Sequence, residues 1–215
     1  MDNSLMSFIN GILPSETPAE EKLRCYAEEH NVPILRRDAA ALIRVLIHSA
    51  KPARILEIGT AIGYSAAIMA EILPCAHIDT VEIDPDLVVT ARKNFKELGF
   101  DSRIRVIAGD AAEVLPSLKY PYDMIFMDAA KGQYIVLYDD AMRLLNAGGL
   151  LVCDNCIFYG KILDDPGSAP HKHRTIVTNL RAFLQKMMSD ERLAPSLLNV
   201  GDGMAVAYKK GETSK

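Results

Sequence analysis

The stretch Ile55-Leu56-Glu57-Ile58-Gly59-Thr60-Ala61-Ile62-Gly63-Tyr64-Ser65 decides the fold of this chain. A short apolar run carries an acid near its end. Two glycines follow, and an apolar helical segment starts at about Tyr64. That order predicts a buried strand, a tight turn and a helix N-terminus, the build of a nucleotide-cofactor pocket.

Outward from this stretch the pattern alternates. Candidate strands are 53–58, 77–82, 104–107, 123–128, 149–153 and 204–208. Candidate helices are 63–73, 85–99, 111–118, 133–146 and 172–188. Apolar, non-alternating strands joined by helices predict an α/β fold: a doubly wound, mostly parallel sheet covered on both faces. The tail from Leu197 to Tyr208 reads as a hairpin around Gly201-Asp202-Gly203, adding an antiparallel strand. Residues 1–50 read as helices. Thr17-Pro18-Ala19-Glu20 has the form of a capping box, opening a helix to about His30, and 37–50 has helical apolar spacing. The expected organisation is an N-terminal helical extension (1–50) packed on a core domain (51–215).

The 215 residues suit one large domain, and 49% hydrophobic content can fill its core. A net charge of −4 argues against a generally basic nucleic-acid binder but leaves room for a local basic patch. Cys25, Cys75, Cys153 and Cys156 are scattered and read as reduced thiols. The Cys153-x-x-Cys156 pair has no partner pair for a zinc site. Asp2 stands where a signal peptide needs positive charge, and no apolar run reaches the roughly 18 residues of a membrane span. The expectation is a cytoplasmic protein.

The acids Glu57, Glu82, Asp110 and Asp128 fall at or just after strand C-termini, the edge where open α/β sheets bind ligands. Glu82 is suited to accept both hydroxyls of a ribose. A pyrophosphate-bearing dinucleotide needs a glycine where Ala61 stands, so an NAD-dependent oxidoreductase is disfavoured. A ribose-bearing cofactor without pyrophosphate, such as S-adenosylmethionine, has no such requirement. Asp128 closes one apolar run and Asp154-Asn155 closes the next. In a parallel sheet both ends face the same edge. Two carboxylates and an amide form a hard oxygen set for Mg²⁺, with Mn²⁺ or Ca²⁺ as alternatives. Lys131 lies three residues beyond Asp128. Next to a metal its ammonium gives up a proton more easily, which suits a proton acceptor. Residues 171–186 carry Lys172, Arg174, Arg181 and Lys186 with no acid, either a phosphate-contacting face or a solvated amphipathic helix. His171 and His173 read as part of a polar loop leading into that helix.

Together, Glu57-Ile58-Gly59-(x3)-Gly63-Tyr64-Ser65, Val81-Glu82-Ile83-Asp84, Gly109-Asp110-Ala111, Asp128-Ala129-Ala130-Lys131 and Asp154-Asn155 resemble the metal- and S-adenosylmethionine-dependent O-methyltransferases. That family includes the catechol and caffeoyl-CoA enzymes, and the resemblance runs from about residue 20 to 208. It implies a class I methyltransferase fold. It implies that Leu35, Glu57, Gly59, Ser65, Glu82, Asp110, Ala111 and Asp128 meet the cofactor, that Asp128, Asp154 and Asn155 hold Mg²⁺, and that Lys131 is the catalytic base. Residues 26–30, 128–134 and 200–203 look like the bacterial branch that methylates 5-hydroxyuridine at the tRNA wobble position. The implied partner is a tRNA anticodon loop, with a small phenol as the alternative acceptor. Catechol enzymes wall their substrate with bulky aromatics including tryptophan. This chain has no Trp, and Ala129 and Ala130 fill the Asp-to-Lys interval. The resemblance also implies a homodimer, packed through Leu5, Phe8, Ile9, Ile12 and Leu13. A catalytically silent cofactor-binding module is the remaining reading, and retention of Lys131 with all three metal ligands speaks against it.

Overall fold

A computed structural model describes residues 3–164 and 171–211. Three helices come first: α1 (Asn3–Ile12), α2 (Pro18–Glu29) and α3 (Arg37–Ala50). The capping box forms as read: the Thr17 hydroxyl accepts from Glu20 N (3.3 Å), and Thr17 N donates to the Glu20 carboxylate (2.9 Å). Strands and helices then alternate: β1 (Arg54–Ile58), α4 (Tyr64–Ile72), β2 (His77–Glu82), α5 (Pro85–Glu97), β3 (Ile104–Ala108), α6 (Ala111–Val114), β4 (Tyr122–Met127), α7 (Tyr134–Leu144) and β5 (Leu145–Cys153). The chain closes with α8 (His171–Ser189), β6 (Leu193–Leu198) and β7 (Met204–Lys209).

The strands form one sheet in the order β3-β2-β1-β4-β5-β7-β6. The first five run parallel, and β7 lies antiparallel to both β5 and β6. The chain winds outward from β1 to β3, then returns to place β4 on the other side of β1. This reversal opens a crevice at the C-terminal ends of β1 and β4, where such sheets bind ligands.

Burial on both faces explains the apolar strands. Leu56, Ile58, Ile125, Met127 and Leu151 pack with Leu137 and Tyr138 of α7 and Val177, Leu180 and Phe183 of α8. On the other face Ile55, Phe126 and Val152 meet Ile43 and Ile47 of α3, Ala67 of α4 and Phe95 of α5. Every residue of α4 from Tyr64 to Ala70 is buried. This helix lies between the sheet and the N-terminal helices, so it needs no polar face.

Some boundaries differ from the sequence reading. The helix expected over 111–118 stops at Val114 and tightens into a 3-10 turn at Leu115–Ser117, because Pro116 has no N–H for an α-helical bond. β5 begins at Leu145 rather than Gly149, with an irregular register opposite Tyr122 and Met124. β6 begins at Leu193, ahead of the expected hairpin. It tolerates Pro195 because it is an edge strand.

Candidate active site

The crevice holds a cleft of about 470 Å³, adjoining a second of about 280 Å³. Gly59, Glu82 and Asp128 line both. Leu35, Ser65, Lys131, Asp154 and Asn155 line the larger, and Asp110 and Ala111 the smaller. The fold thus gathers nearly all the predicted site residues. Glu57 is the exception: it is fully buried and lines neither cleft.

Glu57 lies beneath the cofactor loop. Ser65 Oγ donates to its Oε1 and Thr80 Oγ1 to its Oε2, both at 2.5 Å. Thr60 and Thr80 hydroxyls meet at 2.6 Å. When Glu57 is ionised the Thr80 proton goes to it, and the Thr60 hydroxyl is then the donor of that pair. Burial pushes the Glu57 carboxyl up to about 7, against the two hydroxyl bonds.

The two glycines of the loop serve packing within the protein. Gly59 has φ +101°, and a Cβ there would lie 2.1 Å from the Asp128 carbonyl oxygen. Gly63 has φ +89°, and a Cβ would lie 2.4 Å from the Phe95 ring. They bring β1 against β4 and α4 against α5. Ala61, at φ +47°, donates its N–H to Glu82 Oε2 (2.8 Å), and Asp84 N donates to Oε1 (2.9 Å). Each Glu82 oxygen keeps a lone pair for hydroxyls of a ligand. Asp110 caps α6 by accepting from Ala112 N (2.9 Å). Leu35 is 3% exposed in the segment between α2 and α3.

At the ends of β4 and β5, Asn155 Nδ2 donates to Asp128 Oδ1 at 2.6 Å. Asp154 is 4% exposed, and its Oδ1 is buried with no hydrogen-bond partner. Burial and the neighbouring Asp128 push the Asp154 carboxyl up to about 7. Burial also raises Asp128, against its bond from Asn155. Among the described residues no three His, Cys, Asp or Glu side chains gather as a metal-ligating group. The set here is two carboxylates and one amide. An unpartnered buried carboxylate oxygen beside a second carboxylate fits a hard cation, since buried acids otherwise cost free energy. Tyr134, fully buried, donates from its hydroxyl to the Asp154 carbonyl (2.8 Å) and holds that backbone in place.

Lys131 Nζ donates to Asp202 Oδ2 at 3.0 Å and lies 5.5 and 5.4 Å from the ring centroids of Phe158 and Tyr159. Asp202, Phe158, Tyr159 and Arg36 also line the cleft, and none of them was a predicted site residue. Asp202 read as part of a turn and of the 200–203 resemblance, with no role of its own. Its signal was an acid held between two glycines. Phe158 and Tyr159 place two aromatic rings on the lining of a cleft that has no Trp. They follow the Asp154-Asn155 pair in the same loop.

Cys153 and Cys156 are free and fully buried, and burial holds both thiols well above their ordinary range, Cys156 at about 12. They are core residues. His173 lies within α8, not in a loop before it, and its ring meets Phe158 edge-on at 5.4 Å. Arg181 donates to the carbonyls of Ile162 and Asp164 (both 2.8 Å), and Lys186 pairs with Asp139 (2.7 Å). These two cations of the expected phosphate face bind neighbouring elements of the chain itself. The side chains of His171 and Lys172 lie outside the described residues. No helix among the described residues is long and apolar enough to cross a membrane.

Residues 16–210 match the sequence profile of a family described as O-methyltransferase. A catechol O-methyltransferase of Niastella koreensis is 35% identical over 178 residues, covering 78% of each chain. A caffeoyl-CoA O-methyltransferase of Stellaria longipes is 28% identical over 205 residues, covering 90% of this chain and 84% of that one. Two solved structures superpose closely. The methyltransferase PaMTH1 of Podospora anserina, bound to SAH, has a TM-score of 0.87 at 25% identity, covering 98% of this chain and 97% of that one. The O-methyltransferase TomG of Streptomyces achromogenes, in complex with SAM, has 0.83 at 26%, covering 97% of each.

Proposed function

The chain belongs to the S-adenosylmethionine-dependent O-methyltransferases, and from that premise we propose that it methylates one of two adjacent oxygens on its acceptor, with Mg²⁺ held by Asp128, Asp154 and Asn155. The observation that carries this reading is the partnerless, buried Asp154 Oδ1 beside Asp128, in a cleft that also admits Lys131. When bound, the cofactor supplies an electrophilic methyl group and the metal stabilises negative charge on the acceptor oxygens.

The protein's own residues do the rest. Glu82 accepts from the cofactor's ribose hydroxyls, while Leu35, Gly59, Ser65, Asp110 and Ala111 wall its site, with Glu57 supporting Ser65 from beneath. Lys131 Nζ takes the proton of the acceptor hydroxyl, leaving its electron pair on oxygen. Phe158 and Tyr159 hold the acceptor ring and exclude water from its face. A fixed ring and a fixed methyl donor turn an encounter into an oriented displacement.

Two acceptors present adjacent oxygens to such a site. We read the acceptor as 5-hydroxyuridine at the wobble position of a tRNA anticodon loop, giving 5-methoxyuridine, from the resemblance of residues 26–30, 128–134 and 200–203 to that branch. Tyr159, 74% exposed on the cleft lining, is a stacking platform for a single-stranded base; Arg36 lines the same cleft and Lys161 Nζ lies 4.9 Å from the Phe158 ring centroid, two cations for phosphate. The similarity to the catechol O-methyltransferase of Niastella koreensis favours a second reading, a small phenol with vicinal hydroxyls. Leu5, Phe8 and Ile12 are 51%, 63% and 67% exposed along α1 and supply an apolar stripe for the proposed homodimer.

The test is transfer of labelled methyl from S-adenosylmethionine, with Mg²⁺, into hydroxyuridine-containing tRNA and, in parallel, into catechol and caffeoyl-CoA. Label in tRNA that disappears with chelator supports the first reading. Label in the phenols alone moves the assignment to the second. Full transfer in chelator refutes the metal reading for either acceptor.

A further inference from the structure

Asp202 is a carboxylate that the proposed reaction does not itself use, yet it stands where the acceptor wall meets the base. It sits on the turn between β6 and β7, 6% exposed, between two glycines with φ of +62° and +85°. Its two oxygens do different work. Oδ2 accepts from Lys131 Nζ at 3.0 Å, and Oδ1 accepts the backbone N–H of Tyr159. Its carbonyl accepts from Ile157 N (2.8 Å), and the next carbonyl, of Gly203, accepts from Cys156 N (2.7 Å).

The loop fastened by these bonds is not regular structure. Asn155, Phe158 and Tyr159 all take left-handed backbone conformations, at φ +59°, +54° and +52°. Non-glycine residues hold such angles only where their surroundings impose them. Here the 202–203 segment of the turn bonds the loop backbone at Cys156, Ile157 and Tyr159, between and at these positions. That turn is itself anchored from the opposite side: Gly201 N donates to Asp38 Oδ2 (2.8 Å) and Gly201 O accepts from Arg36 (3.3 Å).

We propose that Asp202 is a positioning residue that locks Lys131 and the Phe158–Tyr159 wall into one unit, so that an acceptor seated against the wall presents its hydroxyl to the base. The inference rests on Lys131 acting as the proton acceptor. In the transfer the acceptor's O–H bond breaks and its proton passes to the Nζ lone pair. The oxygen keeps the electron pair and uses it to form the new bond to the methyl carbon, while the S–CH3 bond of S-adenosylmethionine breaks and its electron pair passes to sulfur, leaving neutral S-adenosylhomocysteine. Asp202 pairs with the ammonium so formed and, through Tyr159, keeps the wall from moving as charge shifts.

The two oxygens let the two jobs be separated. Asp202→Asn keeps a carbonyl oxygen for Tyr159 N–H but sets an amide against Lys131 in place of a carboxylate. Asp202→Ala removes both contacts. Label transfer is measured with whichever of hydroxyuridine-containing tRNA or catechol the enzyme methylates. Asp202→Asn lowers kcat roughly 100-fold, as loss of an orienting partner does, with acceptor KM unchanged within about twofold. Asp202→Ala lowers kcat equally and raises acceptor KM by about tenfold or more. In a Lys131→Met background, Asp202→Asn costs less than about threefold further, because it acts through Lys131. Asp202→Glu keeps the charge and recovers at least about a tenth of wild-type kcat. It carries the test if the amide variant does not fold.

Wild-type kcat in Asp202→Asn, an equal loss with and without Lys131, or a glutamate variant no better than alanine would each overturn the proposal. Full activity in Lys131→Met is a separate failure: it removes the base reading itself.

Discussion

Glu57→Gln isolates the cost of a buried acid. The wild-type carboxyl is fully buried, and burial raises it from an ordinary value of 4.5 to about 7. A raised acid binds its proton more tightly in the folded state than in the unfolded one. Between pH 4.5 and about 7 the folded chain therefore holds a proton that the unfolded chain has released, and stability falls as pH rises through that window. At about 1.4 kcal/mol per pH unit, the loss amounts to about 3 kcal/mol. Glutamine cannot ionise, and its amide still meets Ser65 and Thr80, whose hydroxyls can donate or accept. The assay is urea unfolding of both proteins, without cofactor or metal, at pH 5, 6, 7 and 8. Groups common to both cancel in the difference. The variant gains about 2.5 kcal/mol on wild type between pH 5 and pH 8, equivalent to roughly 5–10 °C in Tm for a chain of this size. A difference that stays flat within about 0.5 kcal/mol would refute the argument that burial dominates at Glu57.

Asp154, pushed up to about 7, must lose its proton to take a cation, so Mg²⁺ affinity measured by calorimetry rises from pH 5 to pH 8 and proton release accompanies binding; pH-independent affinity would count against it as a ligand. Asp154→Ala abolishes metal-dependent methyl transfer while S-adenosylmethionine binding survives, and a variant still fully active in chelator would contradict this. Gly59→Ala destabilises by about 3 kcal/mol or more in urea unfolding, combining a positive φ with a Cβ driven into the Asp128 carbonyl; a loss below about 1 kcal/mol would mean that the two strand ends part easily. Tyr159→Ala leaves Tm nearly unchanged, since the ring is mostly exposed, yet raises acceptor KM roughly tenfold through lost stacking; an unchanged KM would remove Tyr159 from the acceptor wall.

Much of the site was legible in the chain because the strands are continuous apolar runs. Once the runs ending at Ile58, Glu82, Met127 and Cys153 were read as parallel, the residues just beyond them had to share one edge. Gly59, Glu82, Asp128, Asp154 and Asn155 do meet there. Glu57 was harder to place. Alternation puts it on the same face as Ile55, toward α4, so it supports the cofactor loop from beneath. The two glycines read as a tight turn ahead of a helix. What a side chain at either would strike, Asp128 and Phe95, is distant in sequence and invisible to a local pattern.

The amino-acid pattern by itself determined the α/β class, the antiparallel tail, the cofactor loop and the strand-end acids. These depend on period and on chain order, both of which are local. Only the tertiary structure decided which charges pair across the molecule. Asp202 reaches Lys131 from 71 residues away, across the β6–β7 turn. Arg181 and Lys186 turn from a basic face into ties to Ile162, Asp164 and Asp139. A charged side chain reveals its partner only when the backbone has brought the two within about 3 Å, and that closeness is set by how the layers pack.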